Sequence, residues 1–207
     1  MSSQRLIANL DLRGARVRLR EPRVEEAARV YGLIAGRREI LDWLEWSGPS
    51  SIEAMCEQAR HWRTCSDDAA DYRFAIARAD LADGDSDGTV GAMSLRFIDH
   101  PERGDLGYWI GVEHQGRGFA SEAVGLALWL AFEALEARSI GASMFVSNLA
   151  SRRVLEKHGF ELCAPDAAVG GDARTRWNFT LSAAMWRGRT DAQRPLGFEL
   201  TFGAERP

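Results

Sequence analysis

The chain has 207 residues, of which 45% are hydrophobic, 27% charged and 9% aromatic. These are ordinary globular values, so a disordered or fibrous chain is excluded, and the length suits a single domain with a substantial core. Its 26 basic and 30 acidic residues leave a formal net charge of −4, which speaks against general binding of nucleic acid or anionic membranes and suits a cationic partner such as an amine.

Cys56, Cys65 and Cys163 are odd in number and widely spaced, so neither a disulfide framework nor a zinc site is expected. The first twenty residues carry arginines but no continuous apolar stretch, and no run approaches the length of a membrane span. The expectation is a cytoplasmic protein.

In chain order, Ala15 to Leu19 alternates apolar and basic residues, as a half-buried strand does. Val24 to Ile34 repeats apolar residues at helical spacing. Ser50 followed by Glu53 reads as a capping box opening the next helix. Tyr72–Ala77 and Val90–Phe97 read as strands around an acidic loop. That loop holds Asp83, Asp85, Asp87 and Gly88; it imitates a calcium loop, but Ser94 stands where a bidentate glutamate belongs, so an acidic hairpin turn is expected.

Leu106–Val112 is apolar on both faces and so is read as a central strand. A glycine-rich turn then leads into a long helix ending near Arg138. Ile140–Val146 follows as a strand, and the helix from Asn148 stops at Gly159, a left-handed C-cap. Phe160–Cys163 and Arg176–Leu181 read as closing strands. Gly197–Phe202 reads as either a further strand, and with it a candidate dimer surface, or a flexible end.

Chemistry concentrates in Gln115-Gly116-Arg117-Gly118-Phe119-Ala120. Small residues at 116, 118 and 120 let a turn approach a ligand closely, and the helix that follows offers unpaired N–H groups to phosphate oxygens. Glycines placed there for tight strand–helix packing are the alternative. A P-loop is excluded because Lys157, the only lysine, lies forty residues downstream; a dinucleotide fingerprint fails because Ser121 stands where its third glycine belongs.

This turn resembles the Gln/Arg-x-x-Gly-x-Gly/Ala signature of the GNAT acetyltransferases. Asn148-Leu-Ala-Ser151, continued by Val154-Leu-Glu-Lys157-His-Gly159-Phe160, and Asp105-Leu-Gly-Tyr-Trp-Ile110 are similar to segments of their RimJ/RimL-like, ribosomal-protein branch. The likeness runs from about Arg16 to Leu181. It implies an α/β (α+β) domain over residues 1–186, a three-layer α/β/α fold with a mixed, mostly antiparallel, splayed sheet, followed by a C-terminal extension over 187–207.

The resemblance implies acetyl-CoA as acyl donor, without a metal. Backbone groups of Ile110, Gly111 and Val112 would pair with the pantetheine arm. Gln115 and the amides of Gly116, Arg117, Gly118, Phe119 and Ala120 would form the pyrophosphate cradle, and Asn148 would bond the pantetheine amides. Asp105 is the expected base and Ser151 the expected proton donor, because Leu155 occupies the position where many relatives carry tyrosine. Trp43 and Trp46 would wall the acceptor pocket, through cation–π contact or as core. His114, beside the cradle, is a lesser candidate, while Glu122 is expected to complement the helix dipole.

The implied reaction is acetyl transfer to a primary amine, foremost a protein N-terminal α-amine and alternatively a small-molecule amine. A non-catalytic acyl-CoA-binding module is the rival of another class. Neither nucleic acid nor membrane is an expected partner.

Overall fold

The period-two segment at Ala15–Leu19 forms the return arm of a hairpin. In the computed structural model β1 (Ile7–Arg13) turns at Gly14 into β2 (Val17–Arg20). Residues 7–65, 71–82, 88–99, 102–163, 175–189, 192 and 194–202 are described; the Asp83–Asp87 acidic loop and His100 fall outside them. In β1, Leu10 and Leu12 are buried, as alternation on a half-covered sheet requires.

β3 (Asp71–Arg78), β4 (Thr89–Asp99) and β5 (Arg103–Ile110) continue an antiparallel meander. β6 (Ser139–Phe145) lies parallel to β5, followed by β7 (Glu161–Leu162), β8 (Arg176–Ser182) and β9 (Gly197–Phe202). The nine strands of the described residues run β7-β8-β6-β5-β4-β3-β2-β1-β9. The segment left open between strand and flexible end is a strand, antiparallel to β1.

A 3-10 turn at Val24–Glu26 leads into α1 (Ala27–Ile34), followed by α2 (Arg38–Leu41) and α3 (Ile52–Cys65). The α3 cap is one residue later than the capping box implied: Ser51 Oγ accepts from Ala54 N–H at 3.1 Å. The long helix is α4 (Phe119–Trp129), and it continues as a single π-helical turn, Leu130–Ala134, closed by Leu135 N–H on the Leu130 carbonyl at 3.0 Å. α5 (Leu149–Lys157) ends at Gly159 with φ +80°, and α6 (Ala183–Arg187) follows β8.

Beyond Ser121 and Glu122 in its first turn α4 is apolar all round, and it is buried from Glu122 to Leu128, which marks a helix laid across the core. It packs against β2, β5 and α5, while α1 packs against α3 and β4. Leu126, Leu128, Phe132, Ile76, Leu95 and Ile140 are fully buried, each contributing about 1.5–3 kcal/mol through removal from water. No helix among the described residues is long and apolar enough to cross a membrane.

Two details position the site. Glu122, expected to serve the helix dipole, is 9% exposed, and its carboxylate accepts from the backbone N–H groups of Ala15 and Arg16. It thus ties the β1–β2 turn to the start of α4. Glu122→Ala is expected to cost about 2 kcal/mol of stability, since charge-assisted bonds to a buried carboxylate are lost; urea unfolding measures it.

The second detail is a split in the sheet. β5 and β6 pair only at Arg103↔Ser139, Gly104↔Ile140 and Asp105↔Gly141. Beyond Asp105 the two strands diverge, although β5 stays paired to β4 as far as Ile110.

Candidate active site

The wedge between β5 and β6 opens into a cleft of about 1110 Å³. On its β5 side, Gly111 N–H donates to the Val90 carbonyl at 2.9 Å. An antiparallel ladder alternates, so the N–H and C=O of Ile110 and Tyr108 turn away from β4, toward the wedge. The Ile110 carbonyl accepts from Gln115 Nε2 at 3.0 Å, which fixes the turn after β5. The carbonyls of Gly111 and Val112 accept within that turn from His114 and Gln115 N–H.

At the wide end of the wedge the glycine turn enters α4. Gly116 has φ +73° and Gly118 φ +80°, a left-handed backbone open mainly to glycine. The first intrahelical bond at this terminus runs from Glu122 N–H to the Gly118 carbonyl at 3.0 Å. The amides of Phe119 and Ala120 precede it and have no carbonyl four residues back within the helix. Gln115, Gly116, Gly118, Phe119 and Ala120 all line the cleft. Arg117 is exposed beside it, and neither it, Gly111 nor Val112 contributes to the lining.

Opposite β5 stands α5, capped by Asn148, whose Oδ1 accepts from Ser151 N–H at 3.1 Å. That cap consumes the carbonyl and leaves the Asn148 amide nitrogen as a donor at the cleft wall. Ser151 Oγ lies 3.1 Å from Tyr108 Oη, a link across the wedge absent from the sequence reading. Desolvation raises the Tyr108 phenol to about 12, against a lesser lowering by the Ser151 hydrogen bond. Its hydroxyl therefore holds its proton throughout the neutral range. Leu155 also lines the cleft and is 1% exposed.

Asp105 sits at the last paired step of β5 and β6, and its carboxylate overlies Gly141: a Cβ there would lie 2.5 Å from Asp105 Oδ1. Its side chain is 35% exposed, with Arg103 3.9 Å away. Trp43 lines the cleft and is 39% exposed, whereas Trp46 is half-buried and outside the lining. His114 lines it too, with Nε2 3.3 Å from Arg29 Nη2. Desolvation first, then Arg29 and Arg117, hold that imidazole below its ordinary value of 6.5.

A second cavity of about 320 Å³ abuts the first at Gly118, Ser121 and Lys157, and is also lined by Arg16 and Arg194. Arg194 comes from the C-terminal tail. No group of His, Cys, Asp and Glu among the described residues is arranged to hold a metal ion.

Comparison with known proteins identifies the family of the chain. Residues 16–161 match the Acetyltransferase (GNAT) domain family. The chain is 31% identical over 137 residues to the uncharacterized N-acetyltransferase YoaA of Bacillus subtilis, covering 66% of this chain and 68% of the relative. It is 32% identical over 148 residues to YdaF of the same organism, named as a candidate ribosomal N-acetyltransferase, covering 70% and 76% respectively. Among solved structures, Mycobacterium smegmatis RimJ in complex with CoA-disulfide superposes with a TM-score of 0.67 at 22% identity, covering 86% of this chain and 87% of that one.

Proposed function

Since the chain belongs to the GNAT acetyltransferase family, in its RimJ/RimL-like branch, and is an acetyl-CoA-dependent N-acetyltransferase, we propose that its acceptor is a protein N-terminal α-amine. The ribosomal assignment carried by the relative YdaF supports that choice, and a ribosomal acceptor fits a cytoplasmic enzyme.

One observation carries the cofactor site: β5 separates from β6 after three paired residues, and the gap leads to unpaired amides at a helix start. Tyr108 and Ile110 would extend the ladder to the pantetheine amides as an added strand would, with the Asn148 amide nitrogen completing the wall. The amides of Gly116 to Ala120 would hold the pyrophosphate. The cations of the second cavity, Arg16, Lys157 and Arg194, would take the 3′-phosphate of the nucleotide. Acetyl-dephospho-CoA is accordingly expected to show a KM about tenfold higher than acetyl-CoA, a gap that narrows in Arg194→Ala.

The cofactor supplies an activated thioester. Asp105 accepts the proton that an alkylammonium must shed before its nitrogen can attack. The N–H groups facing the wedge polarise the carbonyl under attack. Ser151 Oγ gives a proton to the departing thiolate as it takes one from Tyr108 Oη, 3.1 Å behind it, and solvent entering the cleft on product release restores the Tyr108 proton.

Calorimetric titration tests the first half of this reading. Micromolar affinity for acetyl-CoA with none for NADH or ATP is expected, and absence of binding to folded protein would overturn the cradle. An acceptor panel tests the second half. Acetylation of a free polyamine or aminoglycoside but of no N-terminal peptide would replace the protein acceptor by a small-molecule amine.

A further inference from the structure

The sheet face that floors the cleft is charged where the opposite face is apolar. Residues opposite each other in a ladder share one face. The pairings Asp71↔Arg96, Arg96↔Asp105 and Arg73↔Ser94 therefore set Arg73, Arg96 and Asp105 together on the floor, and all three line the cleft. The alternate residues Tyr72, Leu95 and Leu106 are buried in the core. A water-exposed floor needs polar residues, but it does not need two arginines beside the expected base.

Pairing of these charges singles out one of them. Arg73 is bonded to Asp71 at 2.5 Å. At the cleft mouth Arg176 pairs with Glu45. Asp105 has its ion contact with Arg103, 3.9 Å away, rather than with its cross-strand neighbour. Arg96 has no ion-pair partner among the described residues. It is an exposed guanidinium on the cleft floor, one strand away from the carboxylate that would receive the ammonium.

Resting on the α-amine reading above, we propose that the acceptor carries a carboxylate close to its reactive amine, and that Arg96 recognises it while Asp105 takes the amine. Arginine suits this role because its planar donors match a carboxylate in two parallel bonds. The structure thus favours N-terminal peptides with Asp or Glu within the first residues. The α-carboxylate of a free amino acid is the other source of the same chemistry.

The experiment compares two six-residue peptides differing only in Asp or Asn at the second position, with thiol release as the readout. The Asp peptide should have kcat/KM about five- to tenfold higher, the scale of a charge-assisted bond discounted for partial exposure. In Arg96→Ala that ratio should collapse toward one, and in Arg96→Glu it should invert. Arg38→Ala, on the exposed surface of α2 and outside the cleft, should keep the wild-type ratio.

Free aspartate and free serine form a separate arm: Arg96-dependent acetylation of these, with peptides refused, assigns the carboxylate to an amino acid and retains the recognition. Acetylation of both peptides at equal rates in the wild type, or an Arg96→Ala loss equal on both, overturns the proposal. Failure of the acetyl-CoA titration would instead count against the cofactor site.

Discussion

Ser151→Ala should lower kcat by roughly 10²-fold while the acetyl-CoA Kd changes little, because a positioned proton donor contributes about that much to leaving-group departure. Tyr108→Phe should fall by a similar factor, and the double variant should be scarcely worse than either single one. Residues acting as one relay are non-additive, and Tyr108 Oη and Ser151 Oγ are within hydrogen-bond reach. Additive losses in the double variant would separate the two groups and return Ser151 to its role in the first turn of α5. The pH profile adds a check. Burial has raised the Tyr108 phenol to about 12, so the relay stays charged with protons up to alkaline pH. A basic limb near neutrality must come from elsewhere. The same shift predicts that the stability which burial of the neutral phenol contributes is intact below pH 10 and is lost as pH rises toward 12.

Gly118→Val should raise the acetyl-CoA Kd at least about 100-fold. Gly118 is the N-cap of α4 at φ +80°, where a side chain costs roughly 1–2 kcal/mol. An added Cβ would also lie 2.6 Å from Arg16 Nη1, so the bulkier residue must displace that cation or tilt the turn. Either change moves the amides that would face the phosphates, and near-ideal donor placement is what an anion site depends on. Gly32→Ala is the matching control. Its site in α1 has no heavy atom near an added Cβ, and this variant should bind normally and gain about 0.5–1 kcal/mol of stability. Unchanged acetyl-CoA affinity in folded Gly118→Val would make the glycine turn a packing device.

The glycine turn was legible in the sequence because its requirement is local: Gly116 and Gly118 take left-handed backbone that favours glycine. α5 was legible for the same reason, with Asn148 and Gly159 marking its ends. What escaped depends on distance. The Tyr108–Ser151 contact joins residues 43 apart in sequence, and its existence rests on how far β5 has swung from β6. Glu122 reads as a dipole partner from its own helix alone; its two backbone partners lie over a hundred residues upstream. The cap at Ser51 rather than Ser50 was a choice between adjacent serines, decided by the phase of α3. β1 went unread because the two buried leucines that mark it are too few to stand out until β2 and β9 flank them.

The chain contains a single lysine, Lys157, and it stands in the wall shared by the two cavities, at the last residue of α5. An enzyme that acetylates amines therefore shows only one ε-amine of its own, and that one sits beside the proposed nucleotide site. Labelling of that ε-amine is a site-specific reporter: modification at Lys157, read on its own peptide by mass spectrometry, should slow as the cofactor fills the cleft, without any engineered probe.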